Sequence, residues 1–312
     1  MVSTACFLVG AERSGTTLLR LALNAHSQIA WVREFEYSVD MIGEDGTYPE
    51  LDRYRAWLET HRIFRSSDYE VKSGLDYPHL LQDFLEQQRC RESKPFVGAT
   101  VHRHFDRLIE IWPDAHFIHL VRDPRDVARS VVKMGWAGNS WTGIEGWLES
   151  ETLWRRVAKR IHNDRQCELK YEDFAAQPEA ALRRITDFLG VTYEPSMLDF
   201  HLTTTYSPPD RRFTEQWRHT ASRREIAWVE TRAASQMDQL GYASSGLIHR
   251  SPGLIVRGLL NIQDYYGRVR FRLRRNGLAL SVADWVSRVF GIDGWQRKLR
   301  HRINEIETQH LM

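Results

Sequence analysis

The stretch Phe7–Leu18, FLVGAERSGTTL, decides the reading of this 312-residue chain. An apolar run leads into Gly10, four residues intervene, and Gly15 is followed by Thr16 and Thr17, where helical periodicity begins. A strand ending at Val9 and a helix starting near Gly15 aim backbone N–H groups and the positive helix end at one point, which suits an anion. Glycine at each end lets the backbone bend and approach closely. Arg13 lies inside the loop and brings a guanidinium to the same place. The lysine that follows the second glycine in nucleotide-hydrolysing loops of this spacing is absent, and Thr16 stands there. Alone, the stretch also reads as a glycine turn with a surface arginine, so a second anchor is needed.

Phe117–Val132, FIHLVRDPRDVARSVV, supplies one. It reads as a buried strand and then a helix capped by Asp123, with Pro124 at its first position and Asp126 one turn in. The aspartates thus have a structural task. Arg122 sits at the carboxyl end of the strand, where open parallel sheets bind ligands, and Ser130 lies about two turns into the helix on the face of the cap. Together they form a second anion site on the same edge.

Short apolar runs alternate with helical stretches along the chain, the pattern of an α/β fold with a parallel sheet flanked by helices on both faces. The expected strands are Cys6–Val9, Ile29–Val32, Phe96–Thr100, His116–Val121 and Cys167–Lys170. Helices are expected at Thr16–Ala25, Tyr77–Cys90, Phe105–Trp112, Pro124–Met134, Ile144–His162, Pro178–Leu189 and Arg223–Leu240. At 42% hydrophobic residues the chain can bury one large core plus a small appendage. The boundary is placed by charge: residues 245–312 carry twelve Lys or Arg against five Asp or Glu, net +7, whereas the whole chain is only +2. The expected division is a main domain over 1–244 and a basic helical extension over 245–312.

GAERSGTTLL and LVRDPRDVARS resemble the two signature motifs of sulfotransferases that use 3′-phosphoadenosine 5′-phosphosulfate. The resemblance runs over roughly Phe7–Tyr242 and includes YEDF at Tyr171–Phe174. It implies that Arg13, Ser14, Gly15, Thr16, Thr17 and Leu18 hold the 5′-phosphosulfate of that co-substrate. Arg122 and Ser130 would hold its 3′-phosphate, with 3′-phosphoadenosine 5′-phosphate as product. A transferring sulfuryl group carries one charge fewer than a terminal phosphate dianion, so Arg13 and loop amides can replace the lysine and magnesium of an ATPase, and no metal is expected. The implied reaction is in-line displacement by an acceptor hydroxyl.

Such a hydroxyl must lose a proton, and two candidate bases stand open. Glu34, in WVREFEY, matches the catalytic glutamate of protein-tyrosine and many bacterial members. His102, in VGATVHRHF, matches the catalytic histidine of cytosolic members, although Thr100 replaces the lysine two residues before it. Thr205–Arg218 resembles the loop that closes over the nucleotide, which implies cofactor roles for Tyr206, Trp217 and Arg218; Tyr171 is a further candidate beside the base. The cluster Trp136, Trp141, Trp147 and Trp154 places a carbohydrate or glycolipid acceptor first, with a phenol or peptide tyrosine still open. Trp147 and Trp154, seven apart, also fit core packing.

Cys6, Cys90 and Cys167 are widely spaced and form no disulfide or zinc pattern. No stretch has the length of a membrane span, and the first strand begins almost at Met1, so a cytoplasmic protein is expected. The arginines of the extension alternate with apolar residues, a pattern for the inner membrane surface or an acidic polymer, or for packing on the main domain or a second subunit. No recognition fold accompanies this charge, which argues against nucleic acid. A P-loop kinase or ATPase and a non-catalytic module for nucleotides or sulfated ligands are the competing classes.

Overall fold

The computed structural model describes residues 5–247 and 251–290, and positions 299, 302, 303 and 306 singly. Five strands, Ala5–Val9 (β1), Ile29–Val32 (β2), Phe96–Val101 (β3), His116–Val121 (β4) and Gln166–Lys170 (β5), form one sheet in the order β2-β3-β1-β4-β5. Every pairing is parallel, and each strand lies within one residue of its sequence expectation. Helical crossovers cover both faces, so successive residues feed opposite cores. Ala5, Phe7 and Val9 join the cluster that holds Phe35, Phe84 and Trp112, while Cys6 and Leu8 join the one that holds Trp31, Leu120 and Phe174. Central β1 has β3 on one side and β4 on the other, so the loops leaving all three meet at one sheet edge where strand order reverses, the usual ligand crevice of such sheets.

Helix α1 (Thr16–Asn24) follows β1, and α2 (Leu51–Leu58), α3 (Arg62–Arg65) and α4 (Tyr77–Glu92) connect β2 to β3. Sequence periodicity misses α2 because it buries only Tyr54 and Leu58. The helix expected over Phe105–Trp112 is instead a tight turn at Phe105–Arg107 running into the short α5 (Leu108–Ile111). Between β4 and β5 come α6 (Pro124–Lys133), α7 (Ser140–Gly143) and α8 (Glu145–Ala158), the last stopping short of the expected His162. Asp123 caps α6 by accepting the Arg125 N–H at 2.9 Å, with Pro124 at the first position.

After β5, α9 (Tyr171–Ala176) and α10 (Pro178–Leu189) pack on the sheet, and α11 (Trp217–Thr220) and α12 (Arg223–Gln239) end the main body. A reciprocal Ser222–Glu225 capping box starts α12. Two further helices, α13 (Leu254–Asn276) and α14 (Leu278–Val289), form the described part of the basic extension. No described helix is long and apolar enough to cross a membrane.

Candidate functional site

The glycine loop between β1 and α1 is built from left-handed backbone: φ is +148° at Gly10, +71° at Arg13 and +95° at Gly15. At Gly15 the residue type is dictated twice, since a Cβ there would also sit 2.3 Å from the ring of Tyr171. Gly15 is the N-cap of α1 and no side chain caps that helix, so its first-turn amides keep the capacity to bind an anion. The Ser14 hydroxyl is buried without a hydrogen-bond partner.

The second anchor meets this loop directly. Arg13 Nε donates to Ser130 Oγ at 3.0 Å, and Arg122 Nη1 donates to the Arg13 carbonyl at 3.2 Å. Arg122 stacks over Tyr171, 4.4 Å from the ring centroid, donates from Nη2 to the Phe213 carbonyl at 2.7 Å, and keeps a buried Nε with no partner. Desolvation and the charge of Arg122 lower the Arg13 pKa, although part of the residue stays open to solvent; the charge of an entering anion would oppose both effects. Around these groups lies an open pocket of about 430 Å³. Its wall includes Arg13, Gly15, Thr16, Thr17, Leu18, Arg122, Ser130, Tyr171 and Tyr206.

Arg129 and Lys133 line it too and were missed from the sequence; Asp126 lines it as well, although its place in the sequence implied only a structural task. A signal existed: 126, 129, 130 and 133 are spaced i, i+3, i+4 and i+7, one face of α6. Trp217 and Arg218 are not brought into the wall. Trp217 is buried, donating its N–H to Asp126 at 2.8 Å and its indole N–H to Asp123 at 3.0 Å, while Arg125 stacks over it at 3.6 Å. Arg218 pairs with Glu215 at 2.8 Å. The closing loop instead offers Thr205, Tyr206, Ser207, Pro208, Phe213 and Gln216.

A second pocket, about 360 Å³, adjoins the first across Arg13, whose guanidinium lies 5.8 Å from the Trp136 ring of the second wall. His102 lines it together with Glu12, Trp136, Thr142, Glu145 and Glu149. His102 Nδ1 bonds the Gly10 carbonyl at 3.0 Å. A carbonyl only accepts, so Nδ1 carries the proton and Nε2 of the neutral ring keeps its lone pair. The His102 backbone N–H donates to Glu36 Oε1 at 3.1 Å. Glu36 was not singled out in the sequence; burial raises its carboxyl to about 7, and its other oxygen has no partner. Glu34 is exposed and lines neither pocket.

Thr100 sits in the core, its Oγ accepting the Trp31 indole N–H at 3.0 Å. Of the four clustered tryptophans, Trp147 and Trp154 are buried, as their spacing allows, and Trp136 is the exposed one. Among the described residues no group of three or more His, Cys, Asp or Glu is arranged to hold a metal ion.

The profile of the sulfotransferase family matches residues 6–195. Protein-tyrosine sulfotransferase A of Caenorhabditis elegans is 23% identical over 212 residues, which cover 62% of this chain and 51% of that protein. The omega-hydroxy-beta-dihydromenaquinone-9 sulfotransferase Stf3 of Mycobacterium tuberculosis is 32% identical over 123 residues, 35% of this chain and 32% of that protein. The chain therefore spans about half or less of the length of these two relatives. In fold it is similar to the sulfotransferase domain of the Synechococcus PCC 7002 olefin synthase, with TM-score 0.54 and 19% identity over 74% of this chain and 94% of that one. Because the family profile runs over more than half of the sequence, from β1 through α10, the chain belongs to the sulfotransferase family.

Proposed function

We propose that this chain transfers a sulfuryl group from 3′-phosphoadenosine 5′-phosphosulfate to an acceptor hydroxyl. One observation carries the reading: Arg13 joins the two anion sites, reaching Ser130 with its side chain and Arg122 with its carbonyl, so both open on one pocket. The residues fit a nucleotide anionic at two places. The wall holds four cationic side chains, Arg13, Arg122, Arg129 and Lys133, against Asp126, and each anchor keeps a buried polar group unpartnered, Ser14 Oγ in one and Arg122 Nε in the other. When bound, the co-substrate supplies the sulfuryl group and departs as 3′-phosphoadenosine 5′-phosphate.

The loop amides before α1, Arg13, Thr16 and Thr17 hold the phosphosulfate end and stabilise negative charge there. Arg122 and Ser130 hold the 3′-phosphate, with Tyr171 and Tyr206 shaping the wall beside them. His102 is the proposed base: its tautomer is fixed by the Gly10 carbonyl, and its Nε2 is available to the acceptor's proton. The acceptor enters the second pocket, where Trp136 offers an indole face. Glu12 and Glu149 on that wall, where Glu145 is already paired with Arg232, favour a neutral hydroxyl compound, a carbohydrate or glycolipid, over an acidic tyrosine peptide.

Calorimetry without added magnesium tests the donor half: 3′-phosphoadenosine 5′-phosphate is expected to bind much more tightly than AMP. Equal affinities would remove the double-anion reading, and magnesium-dependent turnover of ATP would replace it with a kinase or ATPase. A screen of labelled donor against sugars, glycolipids, phenols and tyrosine peptides tests the acceptor half. Tight nucleotide binding with no transfer to any of them points to a binding module.

A further inference from the structure

The outward face of α13 has no task in the chemistry above. Its inward face is fixed to the body next to the second pocket: Asp264 accepts the Gly138 N–H at 2.8 Å and the Thr142 hydroxyl at 2.7 Å, and the Leu260 carbonyl accepts from the Asn139 side chain at 2.8 Å. Contact is close enough that a Cβ on Gly267 would lie 2.6 Å from the Gly138 Cα. The helix is thus held by one stripe with the opposite stripe turned to solvent.

That outer stripe is apolar. Ile255, Leu259, Ile262 and Tyr266 recur at steps of four, three and four residues and are 82%, 60%, 54% and 66% exposed. Trp285 of α14 adds an indole that is 62% exposed. Arginines flank the stripe rather than interrupt it: Arg270 and Arg274, four apart, lie along one side and Arg272 on the other, while Arg268 turns inward to pair with Asp264 at 2.7 Å. The whole of α13 carries six arginines and one acid, Asp264.

We propose that α13 docks on an anionic lipid surface, with the apolar stripe in the acyl boundary and the flanking arginines at the headgroups. Hydrophobic residues flanked by cations are what such an interface requires, since the long arginine stems lie along apolar surface while their heads meet phosphate. A second copy of the chain fits the face poorly, because isologous pairing would place one run of arginines against the other with a single acid per helix to offset them. Docking would hold Gly138, Asn139 and Thr142, and the pocket that Thr142 lines, beside the surface.

Flotation of the full chain with vesicles tests this without any turnover, so its outcome is separate from that of the proposed reaction. The chain is expected to float with vesicles of phosphatidylcholine plus phosphatidylglycerol and to stay behind with phosphatidylcholine alone. It should release as salt rises past about 0.1 M, where the screening length falls to about 10 Å. Arg270→Gln with Arg272→Gln should weaken partitioning roughly thirty-fold, from about fivefold per cation near the surface. Ile255→Ser with Ile262→Ser should abolish it, and circular dichroism should stay unchanged because all four positions are exposed. Absence of flotation, equal binding to both lipids, or binding indifferent to the arginine pair would overturn the proposal. So would a concentration-dependent dimer that Ile262→Ser dissolves while vesicles are ignored, which would assign the face to a second copy.

Discussion

Arg122→Gln isolates the proposed 3′-phosphate grip. In the free protein Nη1 and Nη2 each give an N–H to a carbonyl, of Arg13 and Phe213, Nη2 also lies 3.9 Å from Asp126, and the buried Nε has no partner at all. Glutamine keeps an amide donor for one carbonyl but loses the charge and the Nε–H. A hydrogen bond between charged partners contributes about 1.5–3 kcal/mol, and the 12% exposure of this side chain leaves little solvent to screen it. The expected loss is about 10- to 150-fold in affinity for 3′-phosphoadenosine 5′-phosphate, toward the lower end because Arg129 and Lys133 remain in the wall. AMP has nothing at that position and should change by no more than about twofold. Calorimetry of both ligands at one salt concentration gives the comparison. If both nucleotides weaken equally, Arg122 acts only by bracing the loop through its carbonyl contacts, and the phosphate assignment fails.

Three further outcomes are expected. His102→Asn, which retains a donor for the Gly10 carbonyl, should lower kcat by about 100-fold or more with nucleotide affinity unchanged, whereas Glu34→Gln should leave turnover near wild type; the reverse result in a labelled-donor assay moves the base to Glu34. Gly15→Ala should cost roughly 2–4 kcal/mol in urea unfolding, from the left-handed backbone and the clash with Tyr171, and the same change made in a Tyr171→Ala background should cost only the backbone part. Buried His119 lies 3.2 Å from both Glu151 and Glu168; burial alone would lower its pKa, but the carboxylates prevail and raise it to about 9. With the folded value above the ordinary imidazole value of 6.5, this stabilisation is full below about 6.5 and disappears as pH rises through about 9. Thermal melts should show that loss in wild type and a flatter profile in His119→Gln, and identical profiles would dismiss it.

The strands, the glycine loop and the capped helix after β4 were readable in the sequence because each depends on local chemistry: uninterrupted apolar runs, a glycine pair, an aspartate before a proline. Residues whose surroundings come from distant segments were not. Arg125 sits in the charged run RDPRD and looks like a surface residue, yet it is 2% exposed, held by Asp123 and by Glu230 from α12 at 2.6 Å each. The same network draws in Trp217, whose indole serves Asp123 and not the pocket wall. Glu36 gives no local sign of its burial, because its neighbours Phe35 and Tyr37 are core residues only in the folded chain. Helical spacing did separate the buried Trp147 and Trp154 from the exposed Trp136.

Because Arg13 is common to both halves of the pocket, the two proposed phosphate grips should behave as a chelate of fixed bite. Selection then depends on reach as well as total charge. An isomer with its second phosphate on the 2′ carbon carries the same charge over a different span, and it should compete for the pocket far less well than the 3′ compound.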